Sequence, residues 1–260
     1  MARPIEQLLT GGNVTRVVRI GDTVRRPAGP WSAGVDALLG HLEAVGFAHA
    51  PRALGYDRKG RQVLSYVPGE APADPSDLDV AALGDIGRLI AELHGALATF
   101  RAPASARWSP AIVPPSDGPV CHNDVAPWNL VRGDVTMALI DWDGAAPAPT
   151  RWDLAYAVQS FVPLAPKMDG DVLSARLVAL VEGYGLDGPG RVALLDTLGP
   201  RTFAMVELLR RGARDGVEPW QRLHRQDGPY WEACAAMVRS EQARLATILG
   251  VEAPPGAPKS

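Results

Sequence analysis

"VCHNDVAPWNLVRGDVTMALIDWD", residues 120–143, is the stretch on which the reading of this chain turns. Histidine, asparagine and aspartate side chains crowd here around two short apolar runs. A core admits such groups only when each is paired, so their concentration points to a site rather than to packing. Their spacing is His122-x-Asp124-x-x-x-x-Asn129, followed by an apolar run at 137–140 that ends in Asp141. Short, apolar and bounded by polar residues, that run reads as a strand.

Phosphoryl transfer explains why these residue types would be set at this spacing. Moving a phosphoryl group from ATP asks little covalent chemistry of a protein, so positioning and charge neutralisation supply the rate. In that reading Asp124 accepts or orients the proton of a substrate hydroxyl, with His122 beside it in the same loop. Asn129 and Asp141 offer the hard oxygens that Mg²⁺ takes alongside water and phosphate oxygens. A lone His-x-Asp arises often by chance. An Asn five residues after the Asp, with a second Asp capping a strand soon afterwards, seldom does, and the combination is similar to the catalytic loop and metal aspartate of kinases.

The competing readings are plain. Asn and Asp favour turns and caps in any protein. His122 serves equally as an organiser of its loop, and Asp143 is either a second carboxylate near the metal, a substrate contact or a solvated turn residue before Gly144. Trp128 and Trp142 are assigned to packing. Cys121 and His122 are adjacent on an extended segment and point in opposite directions, which argues against a nucleophile pair. His94 falls on the apolar side of its helix and reads as a buried structural group.

Outward from this stretch, the N-terminal part reads as short strands at 8–9, 14–20 and 23–26, punctuated by Gly11-Gly12-Asn13 and Gly21-Asp22. Val35, Leu38, Leu39, Leu42 and Val45 recur at helical spacing and stop at Gly46, which predicts a helix over 33–45. Strands follow at 52–56 and 62–67. The segment VPGEAPADPSD, 67–77, suits neither a strand nor a helix interior. Beyond it Leu83, Ile86, Ile90, Leu93 and Leu97 form a helical stripe, and helical patterning dominates to residue 249.

The fold class expected is therefore α+β. A small antiparallel sheet with one helix occupies 1–68, a larger mainly helical part 69–250, and a loose tail 251–260. Lys and Arg total 26 against 29 Asp and Glu, and the basic residues are scattered, which argues against nucleic acid as a partner. Two distant cysteines exclude a disulfide framework and suit a reducing cytoplasm. No run approaches the roughly 18 apolar residues of a membrane span, so a soluble protein is expected. Oligomeric state is open at this stage.

The motifs "HNDVAPWNL" at 122–130, "LIDWDGA" at 139–145 and "RWDLAYA" at 151–157 together resemble the aminoglycoside phosphotransferase family, a branch of the protein-kinase-like fold. The resemblance implies an ATP- and Mg²⁺-dependent transfer to a hydroxyl of a small molecule, with aminoglycoside-like antibiotics as the first acceptor class. It implies that Asp153 braces the catalytic loop from a helix start. It also implies that Gly11, Gly12 and Asn13 cover the nucleotide phosphates and that the backbone of Ser65, Tyr66 and Val67 receives adenine. The lysine of the third strand is replaced by arginine, and alternation with Val24 favours Arg26 over Arg25 as the phosphate-binding cation. The helix glutamate that would partner it is missing: Val35 stands near its place, with Asp36 next door. Glu207, Asp215, Glu218 and Glu232 are acids that could draw a polycationic sugar. The alternatives are a non-catalytic nucleotide- or antibiotic-binding protein of the immunity type, and a metal-dependent hydrolase with His122, Asp124 and Asp141 as ligands.

Overall fold

A computed structural model describes residues 6–9, 17–72, 74–133, 137–166 and 168–252. Gly11, Gly12 and Asn13 lie outside the described residues. The N-terminal strands are β1 (Gln7–Leu9), β2 (Val17–Ile20), β3 (Thr23–Arg26), β4 (Ala53–Tyr56) and β5 (Gln62–Ser65), in the antiparallel order β1-β2-β3-β5-β4. Gly21, at φ 58, turns β2 into β3. Side-chain alternation along β3 separates its two arginines. Arg26 is buried, while Arg25 reaches toward Asp57 at 3.9 Å.

Helix α1 (Ser32–Ala44) sends Val35, Leu38, Leu39 and Leu42 into the core, the stripe expected from their spacing. It ends as predicted on Gly46: at φ 81 this residue donates to Glu43 O, and Phe47 donates to Leu42 O at 2.9 Å, a paired closure of the last carbonyls. Asp36 is taken up elsewhere, accepting from Gln62 Nε2 and the Tyr56 hydroxyl at 2.7 Å each.

The rest is mainly helical: α2 (Val80–Leu97), α3 (Thr150–Phe161), α4 (Gly170–Tyr184), α5 (Gly188–Asp215), α6 (Trp220–Ser240) and α7 (Gln242–Leu249). Asp79 caps α2 by accepting from Ala82 N at 2.7 Å. Leu83, Ile86, Ile90, Leu93 and Leu97 of α2 are all buried, in one continuous core that also takes in α1 and Leu64 of the sheet. Gly87 is the close approach between α2 and α4, because a Cβ there would overlap the carbonyl oxygen of Leu180.

Between α2 and α3 lie two small ribbons that carry residues 120–143. Strands β6 (Val120–Cys121) and β9 (Ala146–Pro147) form one, and β7 (Leu130–Arg132) and β8 (Met137–Leu139) the other. The second ribbon is tied to the N-terminal part at separate points. Leu139 N donates to His49 O, and Glu70 and Arg132 exchange backbone hydrogen bonds at 2.9 Å. These ties bring β3 over the residues that follow β8.

Candidate active site

The loop from Cys121 to Leu130 closes on itself through its own polar groups. Asn123 stands at φ 63, a left-handed conformation that asparagine tolerates better than most residues, and its Nδ2 lies within hydrogen-bonding distance of the carbonyls of Cys121, Gly144 and Ala146. Asn129 ends a single 3₁₀ turn, Pro127–Asn129, where its Nδ2 donates to the backbone oxygen of Asp124 at 2.9 Å and to Asp124 Oδ2 at 2.7 Å. Because the amide nitrogen is spent on Asp124, its Oδ1 is the atom left for a cation.

Asp141 follows β8 in the left-handed region, φ 59 and ψ 70. Ile140 N donates to Asn129 O at 2.9 Å, so the residues before Asp141 and at Asn129 are backbone neighbours. The carboxylates of Asp124 and Asp141 are close enough to repel. Burial first, and then the charge of Asp141, push the Asp124 carboxyl up to about 7. Hard oxygens from Asn129 and Asp141 beside an anion-rich cluster form a donor set that fits Mg²⁺.

Arg26 supplies the cation on the opposite side. Its Nη2 contacts Asp141 Oδ1 at 3.3 Å and pairs more closely with Asp143 Oδ2. The Trp31 indole is also near Asp143 and favours its charged form. Burial raises the Asp143 carboxyl, with Arg26 opposing that rise. Asp143 is thus neither a free turn residue nor simply solvated, since an arginine from the sheet holds it. No α1 carboxylate joins Arg26, as the absent glutamate implied; Val35 is in the core.

His122 is wholly buried and both its ring nitrogens are used. Nε2 pairs with Ile140 O at 3.0 Å and Nδ1 accepts from Asp124 N at 3.3 Å, with the ring tilted on Trp142 at 4.5 Å. Burial holds its pKa below the usual histidine value, which fits a neutral ring with one donor and one acceptor. His122 therefore organises the loop, and the hydrolase alternative loses its histidine ligand. Asp153, in the first turn of α3, accepts from His122 N and lies 3.2 Å from His94 Nε2. His94 is buried, as its place on the helix suggested.

In the segment after β5, Ser65 N donates to Arg52 O and Tyr66 N to Asp22 O, at 3.0 and 2.9 Å. Of the three N–H groups in the segment expected to receive adenine through its backbone, two are committed within the protein. Val67 N has no partner among the described residues. Arg19 stacks over Tyr66 at 3.6 Å from the ring centre.

The sequence reading missed the wall beside Asp124. Tyr156, in α3, has its hydroxyl beside the Asp124 carboxylate, and its own hydroxyl pKa is raised by burial and then by that charge. Trp231 of α6 stacks on Tyr156 at 6.3 Å, and Trp128, expected in the core, is 49% exposed and edge-on to Tyr156. Trp142 is in the core as expected. Arg201 of α5 lies with its guanidinium 4.1 Å from the Tyr156 ring centre and donates to Asn123 O at 3.3 Å. A signal for it existed: Arg201 falls on the stripe Leu194, Leu198, Leu208, where a charge is out of place.

Comparison with known proteins gives the family and the fold. Residues 101–195 match the model of the phosphotransferase enzyme family. A trifolitoxin immunity protein of Rhizobium leguminosarum bv. trifolii is 33% identical over 231 residues, 82% of this chain and 86% of that protein. The chain belongs to the phosphotransferase enzyme family. Its fold is that of the kinase-like members. An amicoumacin kinase in complex with AMP-PNP and Ca²⁺ superposes with TM-score 0.65 at 11% identity, over 84% of this chain and 87% of the other. A choline/ethanolamine kinase family protein from Mesorhizobium loti gives 0.64 at 16% identity, over 94% and 92%. No described helix is long and apolar enough to cross a membrane.

Proposed function

We propose that this chain is an ATP- and Mg²⁺-dependent phosphotransferase that moves the γ-phosphate to a hydroxyl of a small molecule. The observation that carries this reading is the joint arrangement of Asp124, Asn129 and Asp141, in which one amide binds the first carboxylate and the other carboxylate is near enough to raise its pKa. Asp124 receives or orients the acceptor proton. Asn129 Oδ1 and Asp141 hold Mg²⁺, which when bound neutralises charge on the phosphates. Arg26 sits at the same carboxylates, beside the phosphates of a bound nucleotide, and Val67 meets the adenine. Residues 1–68 form the nucleotide-binding lobe, 69–250 the catalytic and acceptor-binding lobe, and 251–260 a tail. The free cysteines, Cys121 and Cys234, suit a reducing cytoplasm.

The acceptor is not read as a polycation. Glu207 and Glu232 both pair with Arg210, Asp215 with Arg214, and Glu218 with Arg225, so each of the four acids named for an aminoglycoside already has an arginine partner. Aminoglycoside-like antibiotics belong in the test panel all the same. The assay is ADP release from Mg·ATP across hydroxylated antibiotics and small alcohols. Turnover that vanishes in a folded Asp124→Ala protein supports the reading; Mg·ATP hydrolysis or transfer that persists in that variant removes it.

A second reading is favoured by the contacts of Arg26. Arg26 already engages Asp141 and Asp143, and a relative bears an immunity protein's name. In this reading the chain binds a nucleotide or an antibiotic without turnover. It predicts saturable binding and no ADP release with any acceptor.

A further inference from the structure

Arg201 is 3% exposed, yet it forms no ion pair within 4.0 Å among the described residues. Its Nη2 has the Asn123 carbonyl, while Nε and Nη1 are buried with no hydrogen-bond partner. Stacking on Tyr156, and more distantly on Trp152 at 5.3 Å, compensates part of the lost hydration. Two unfilled donors of a planar fork remain, and a buried cation in that state is short of one oxyanion. Its position gives that oxyanion a purpose. Tyr156 has the Arg201 guanidinium against its ring face and its hydroxyl near Asp124, so the cation and the proposed base flank one side chain.

We propose that the acceptor phosphorylated at Asp124 carries an anionic group, a carboxylate or a phosphate, which the Arg201 guanidinium binds. This rests on the phosphotransferase reading and names its substrate class. The acceptor hydroxyl meets Asp124, the anion meets Nε and Nη1 of Arg201, and the intervening atoms lie against Tyr156, between Trp128 and Trp231. Because one tyrosine spans both contacts, the hydroxyl and the anion are separated by few bonds. A separate observation is that four of the six carboxylates on α5, on α6 and between them, Glu207, Asp215, Glu218 and Glu232, are paired with arginines, which leaves only Asp196 and Asp227 there for a cationic acceptor.

The test uses the intact chain with Mg·ATP and matched acceptors: glycerate beside glyceramide, 3-(hydroxymethyl)benzoate beside its amide, glycerol 3-phosphate beside glycerol, and kanamycin as the cationic arm. The acid should exceed its neutral partner in kcat/KM for ADP release by about ten-fold or more, and the responding arm tells carboxylate from phosphate. Arg201→Gln should bring the acid-to-neutral ratio close to one while Mg·ATP still binds. Arg201→Lys should keep part of the ratio, and it replaces the glutamine variant if that one fails to fold. A ratio near one in the wild type, a preference for kanamycin, or an equal loss on all acceptors in the variants overturns the proposal, the last because Arg201 would then act only through Asn123. If nothing releases ADP although Mg·ATP binds, the phosphotransferase reading fails, and the same compounds are followed by thermal shift. Stabilisation by the acids that Arg201→Gln abolishes keeps the anion site, and no stabilisation by any acid overturns it.

Discussion

Asn129 gives its Nδ2 to a single residue, bonding both the backbone oxygen and the carboxylate of Asp124, at 2.9 and 2.7 Å. The amide thereby fixes the orientation of the proposed base and turns its own oxygen outward. Asn129→Ala should remove both functions, lowering kcat for ADP release by about 10²-fold or more. Circular dichroism should show the fold retained. A variant with wild-type kcat would separate Asn129 from the chemistry.

Asp124 titrates near neutrality, about 7, because burial and Asp141 disfavour its charge. The sign follows from linkage: a carboxyl whose folded value lies above its unfolded value holds its proton more tightly when folded, so stability falls as pH rises toward 7. Asp124→Asn carries no such charge. The stability of the variant relative to wild type should therefore increase from pH 4 to pH 8 and level off above, by on the order of 1–3 kcal/mol once partial exposure is discounted. Urea unfolding at several pH values measures it, and a difference that stays flat or shrinks contradicts the assignment.

Arg26 is the buried cation between Asp141 and Asp143. Arg26→Ala leaves two neighbouring carboxylates without it, and Mg·ATP affinity should fall by about ten-fold or more, with Arg26→Lys intermediate because a point charge cannot serve both acids as a fork does. Calorimetric titration gives the comparison. Unchanged affinity in both would mean that β3 does not contribute to nucleotide binding.

Gly87 permits α2 to lie against α4. Gly87→Ala should destabilise the protein by about 1–3 kcal/mol, since the added carbon meets backbone that cannot move aside cheaply. Gly40, on the exposed side of α1 with nothing within 4 Å of a Cβ, is the control. There alanine should be neutral or stabilising by up to about 1 kcal/mol. Thermal melts that rank the two variants in the opposite order would refute the packing argument.

Much of the fold was readable in one dimension because local physics wrote it there. The period of Val35, Leu38, Leu39 and Leu42 marks α1, Gly46 marks its end, and alternation along β3 sends Arg26 inward while Arg25 faces Asp57. Trp128 was misread for the same reason that Trp142 was read well. A tryptophan's size argues for burial in both, and nothing in the neighbouring residues says that the wall beside Asp124 leaves one of them 49% exposed. In the segment after β5, pairing with Arg52 and Asp22 consumes two N–H donors that look free in the sequence.

The linear order of residues sufficed for the phosphotransferase-family motif, the α+β class and the inward face of Arg26, since each depends on spacing over a few residues or on strand alternation. Folding in three dimensions added what distance along the chain conceals. Arg26 meets residues 115 and 117 positions away, and Arg201 reaches Asn123 across 78. Such contacts form only when separately stable elements pack, and no local periodicity encodes which charge will meet which. That is why the missing α1 acid was visible in advance while the carboxylates that take its place were not.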